Sequence, residues 1–148
     1  MNHKIIETLE FEQIKGRVAQ HLVSAAGKRE LAALMPATDY QTVDTWLTET
    51  TDGADILRLE GGLPLPKLAD IKPQMKRLKI GANLNGTELA QVTKVLQASL
   101  SVQNFFEQMR EKKIKLRVLE QTVDRLVTIP SVTTRLVRSV DPDGRIND

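Results

Sequence analysis

The sequence contains no cysteine. Disulfides, thiol catalysis and thiolate metal ligation are excluded together. Aromatic residues make up 3% of the 148 positions, so a core has to be built from Leu, Val, Ile and Ala. Long apolar runs are missing as well. Nothing approaches the ~20 residues of a membrane span, and the first residues carry no signal-peptide apolar stretch. A membrane partner is not expected, and the cytoplasm is the expected compartment. Charge of one sign is also lacking: 21 Lys and Arg against 19 Asp and Glu leave a net charge of +2, too little by itself to indicate a nucleic-acid partner.

What is present is ordinary for one globular domain. The chain is 41% hydrophobic and 27% charged, and its length is near the commonest domain size. Apolar residues recur at helical spacing almost throughout, with no strand-period segment, internal repeat or low-complexity tract. Ile5, Leu9, Phe11, Ile14, Val18 and Leu22 predict one or two amphipathic helices over 4–23. Ser24 stands at an N-cap position, ahead of a short helix over 28–35 that Pro36 closes. Asp39 caps the next helix, whose single apolar face is Val43, Trp46, Leu47, Thr50, Ala54 and Leu57. Gly61-Gly62 ends it and leads into the proline-containing loop GGLPLPKL.

Asp70 opens a short helix in which Pro73 lies in the first turn, and Gly81 stops it. Asn85 caps the longest helix, over 86–110, and Glu88 three positions later completes a capping-box pattern. The expected stripe of this helix is Leu89, Val92, Leu96, Leu100, Phe106 and Met109. Shorter helices follow over 116–127 and 132–140, and Asp-Pro-Asp-Gly at 141–144 reads as a tight turn. A turn normally leads into another element, so the chain reads as a piece of a longer protein. The fold class expected is all-α, an irregular bundle of six to eight helices forming a single domain over 1–148.

Catalytic constellations are hard to find. Gly27-Lys28 resembles the end of a phosphate-binding loop, but such a loop needs an earlier glycine, a Ser or Thr after the lysine, and a preceding strand. Position 22 is Leu22, position 29 is Arg29, and the preceding segment is helical. Gly27 instead reads as a small residue allowing close helix–helix approach. His3 and His21 have no His-x-x-x-His spacing, so no metal site is expected. The carboxylate pairs Asp52 with Asp55 and Glu10 with Glu12 fit solvated helix faces. Phe105-Phe106-Glu107 contains a Phe-x-Glu of the kind that reads mismatched DNA, yet Phe106 belongs to an apolar stripe and reads as core. No catalytic, cofactor or metal residue is assigned.

Two basic groups remain. Lys72, Lys76 and Lys79 share one helix face with Arg77 beside them. Arg110, Lys112, Lys113, Lys115 and Arg117 fall within the run REKKIKLR. Either could meet nucleic-acid phosphates. The alternative is a solvated surface whose lysine stems cover apolar area, and the absence of interleaved aromatics argues against base stacking.

The ordered set Leu9-Glu10-Phe11, Ser24, Gly27-Lys28, Pro36, Asp39, Gly61-Gly62, Asp70-Ile71, Arg77, Gly81 and Leu89, closing with DPDGRIND, resembles the start of the second bacterial type of MutS protein, which carries a C-terminal Smr domain. The resemblance runs over essentially the whole chain. It implies a helical core and lever region of a homodimeric ATPase that binds ATP and Mg, clamps nucleic acid and carries a nuclease domain. Branched DNA, in restraint of recombination, and collided ribosomes with their rRNA are its implied partners. It also implies that the ATP loop, clamp and nuclease lie outside these residues, so the chain itself would be structural and would not be an enzyme. A free-standing helical protein-interaction module unrelated to any ATPase is the competing reading. A small nucleic-acid binder using Arg110 to Arg117 is a third.

Overall fold

A computed structural model describes residues 8–147. Among them are seven α-helices and no strand beyond two isolated bridges, which is the all-α bundle expected. His3 and the predicted helical turn at 4–7 lie outside the described residues. In chain order the helices are α1 (Phe11–Ala19), α2 (Ala25–Ala33), α3 (Tyr40–Glu60), α4 (Lys72–Lys79), α5 (Gly86–Glu111), α6 (Leu119–Val123) and α7 (Pro130–Ser139).

Helix starts follow the capping chemistry written in the sequence. Ser24 Oγ accepts from the Gly27 amide at 3.0 Å and Asp39 Oδ2 from the Thr42 amide at 2.8 Å. The Thr42 hydroxyl, and then its amide, hold the Asp39 carboxyl below the usual carboxylate range. At α5 the box is reciprocal: Asn85 Oδ1 accepts from the Glu88 amide and Glu88 Oε2 from the Asn85 amide, both at 2.9 Å. Helix α2 starts three residues earlier than expected, directly after its cap. Gly27 lies against that cap: a Cβ there would meet Ser24 Oγ at 3.2 Å and Leu22 at 3.7 Å, so its small size serves its own first turn rather than a neighbouring helix.

Helix α5 is the spine. It packs against α7 and α6, α3 packs against α6, and α1 pairs with α2. The core at the far end of α5 is Ile56, Phe106, Met109, Leu116 and Val123, with Phe105 and Ile114 packed on it. Phe105 and Phe106 meet edge to face at 5.8 Å, so the Phe-x-Glu segment is packing, as its stripe implied. At the near end the turn after α7 lies on the start of α5. Gly144 has φ +84°, and a Cβ on Gly86 would stand 2.0 Å from the Gly144 carbonyl oxygen. The two backbones touch where no side chain fits.

Helix α3 departs from the expectation. Its buried residues are Asp52 and Ile56, on the face opposite the predicted stripe, while Leu47 and Leu57 are 62% and 63% exposed. Asp52 is therefore not on a solvated face. Its Oδ2 accepts from the backbone amides of Val118 at 2.8 Å and Leu119 at 3.1 Å, sealing the start of α6 from a helix 66 residues away in sequence. Burial of the carboxylate is tolerable because two amides occupy it.

Two substitutions test these joints. Asp52→Ala strands two half-buried amides and is expected to cost about 2–4 kcal/mol of unfolding free energy in urea. Gly86→Ala would favour an ordinary helix by up to ~1 kcal/mol; here steric conflict with Gly144 is expected to reverse the sign, destabilising by roughly 1–3 kcal/mol.

Candidate nucleic-acid interface

The two basic groups part company in the structure. Lys72, Lys76 and Lys79 are exposed on α4 and make no ion pair among the described residues. Their helix is fixed from its other side. Gln74 is buried and its Nε2 donates to Gln91 Oε1 on α5 at 2.8 Å. Arg77 pairs with Glu88 and donates to the Asn83 carbonyl at 2.6 Å. Asp70 accepts from the Lys72 amide at 3.1 Å and pairs with Arg29. The amide, more than Arg29, holds its carboxyl low. The three lysines thus form an unpaired cationic strip on an anchored helix.

The run from Arg110 to Arg117 is divided in use. Arg110 bridges α5 to α6 through Nε to Glu120 and a terminal nitrogen to Asp124. Donating to Glu120 first and Asp124 second raises its pKa further, with no consequence for a group always charged. Lys112 Nζ stands 2.6 Å from Glu60 Oε1 at the end of α3. These two cations hold helices together. Lys113, Lys115 and Arg117 remain exposed and unpaired among the described residues.

The chain turns at Lys113. Its φ is +58°, its amide donates to the Arg110 carbonyl at 2.9 Å, and the Ile114 amide reaches the Met109 carbonyl at 3.0 Å. This is a Schellman closure with lysine where glycine is usual. It swings Ile114 and Leu116 into the core while Lys113 and Lys115 face solvent. The sequence carried no signal for this closure, because no glycine marks it. The role of Asp52 was equally hidden, since its amide partners are distant in sequence.

Other candidate chemistry stays dispersed. His21 is exposed, Glu12 pairs with Lys15 at 3.2 Å, and Asp55 with Arg58 at 3.1 Å. Among the described residues no three His, Asp or Glu side chains gather as a metal site, and no helix is long and apolar enough to cross a membrane.

No family model matches the chain. Curated relatives match it end to end. It is 51% identical over 148 residues to the endonuclease MutS2 of Levilactobacillus brevis, 46% identical over 150 residues to that of Lactiplantibacillus plantarum, and 39% identical over 148 residues to that of Enterococcus faecalis. All of this chain and 19% of each relative are covered. The chain matches the N-terminal region of these MutS2 proteins.

Lys113→Gly relieves a left-handed lysine and removes one charge from the run. It is expected to raise stability by up to about 1 kcal/mol in urea unfolding. A loss of stability would show that the side chain, not the backbone, matters there.

Proposed function

We propose that this chain is the helical core and lever root of a MutS-type ATPase and Smr endonuclease, with a structural and signal-transmitting role of its own. The observation that carries the proposal is the end-to-end match of 148 residues to about one fifth of proteins named endonuclease MutS2. Two features of the fold support it. The joints around Asp52 and Arg110 are built from side chains, as a rigid force-bearing element requires, and Lys72, Lys76 and Lys79 offer phosphate contacts without base contacts. In this reading ATP and Mg are bound elsewhere in a homodimeric protein that clamps branched DNA, collided ribosomes with their rRNA, or both. Movement between nucleotide site and clamp passes through packed helices with two discrete arrangements.

The chain by itself is expected to show no ATP hydrolysis and only weak binding to a four-way DNA junction. Each phosphate contact adds about 0.9 to the slope of log affinity against log salt. Changing Lys72, Lys76 and Lys79 together to Gln should flatten that slope by roughly two to three, read by fluorescence anisotropy between low and physiological salt. Nanomolar affinity retained at high salt would overturn the reading. Sequencing the gene beyond codon 148 supplies an independent check. A downstream Gly-x-x-x-x-Gly-Lys-Ser/Thr supports it, and a stop codon there favours a free-standing interaction module.

A further inference from the structure

The buried interior of the molecule starts late in the chain. Among the described residues none before Asp52 is buried, so α1 and α2 contribute nothing to the core. The two helices pack on each other, and neither forms a comparable interface with any helix from α3 to α7 among the described residues. Ile14 and Val18 on α1 stay 54% and 43% exposed. A segment with so few buried apolar contacts opens at low cost.

Fastening inside the pair is stronger than fastening outside it. The Lys15 side chain on α1 is 11% exposed, and its Nζ donates to the Ala32 and Leu34 carbonyls at 3.1 and 3.3 Å. Those carbonyls close the C-terminal end of α2, where a cation is favoured. The same ammonium stands 5.6 Å from the Phe11 ring centroid and 3.2 Å from Glu12 Oε1. Toward the rest of the bundle, Ser24 forms an isolated parallel bridge with Leu68, and Arg29 pairs with Asp70. Both attachments land on the short segment that precedes α4. The ion pair is open to water, with side chains 42% and 35% exposed, so it shifts an equilibrium by at most about fivefold.

We propose that α1 and α2 form one rigid arm, latched to the rest of the bundle by Arg29 on Asp70 and hinged at 35–38. The hinge follows the last backbone bond of α2, from the Leu34 amide to the Leu31 carbonyl, and precedes the Asp39 cap. Among the described residues no amide over 35–38 bonds to another backbone group, so little opposes a rotation there. The latch has a second task. Asp70 Oδ1 accepts from the Lys72 amide at 3.1 Å while Oδ2 meets Arg29. One carboxylate therefore holds the arm and starts the helix that carries Lys76 and Lys79, so opening of the arm is felt first at α4. Neither the arm nor its latch depends on the MutS-type reading.

Hydrogen exchange read by mass spectrometry on the full-length polypeptide tests this. The amides of α1 and α2 are expected to exchange together, at least about a hundredfold faster than the core amides of α5. Raising potassium chloride from about 0.05 to about 0.5 M screens an exposed pair. Exchange in both arm helices should then accelerate about two- to fivefold, with the core of α5 unchanged. Arg29→Gln should give the same acceleration at low salt and abolish the response to salt. Asp70→Asn should do likewise, because its amide oxygen still accepts from the Lys72 amide while the charge is gone. Lys15→Met separates the two helices, and α1 is then expected to exchange faster than α2. Protection of α1 and α2 equal to that of α5 overturns the arm. Exchange that ignores both salt and Arg29→Gln overturns the latch, and unequal acceleration of the two helices in the unsubstituted protein overturns their movement as one body.

Discussion

The far end of the bundle hangs on one carboxylate. Helix α6 is five residues long, well below the length at which a helix holds itself in water. It exists because Asp52 takes its first free amides, Arg110 takes Glu120 and Asp124 on its flank, and Val123 closes into the core. Asp52 and Ile56 lie one turn apart on α3, so a single helix face supplies both the polar cap and the apolar floor. Remove the cap and the segment between Leu116 and Val123 loses its reason to fold back over Met109 and Phe106.

The same dependence explains what the sequence could and could not reveal. Local chemistry was readable: Ser24, Asp39 and the Asn85–Glu88 box act within three residues of their partners. The helix terminations make a controlled comparison. Helix α4 closes with Gly81 at φ +75°, and the Ala82 and Gly81 amides return to Arg77 and Leu78 at 3.0 Å each. Helix α5 closes in the same geometry on Lys113, with no glycine to mark it. One motif was legible and its twin was not, because the burial of Ile114 and Leu116 imposes the second closure and no residue preference announces it. The expected helix over 116–127 shrank to α6 for a related reason, since it is held by tertiary contacts rather than by its own periodicity.

The basic run shows the corresponding limit for function. Counting charge over Arg110 to Arg117 treats five cations as equivalent. Space divides them: Arg110 and Lys112 are spent on Glu120, Asp124 and Glu60, whose positions 10 to 52 residues away no run-length argument contains. Lys72, Lys76 and Lys79 kept their sequence-level character because their helix is anchored through Gln74 and Arg77 instead.

Periodicity failed most instructively in α3. It found a true apolar face and assigned it to the core, but the core took the other side. Hydrophobic spacing reports that a face wants cover and is silent about which neighbour provides it. Here the two faces also differ in kind. The Asp52 joint is directional, since two adjacent amides at 2.8 and 3.1 Å fix the register of α6 and break if α3 slides. An apolar seam is non-directional and tolerates the small sliding of packed helices seen in shear motions.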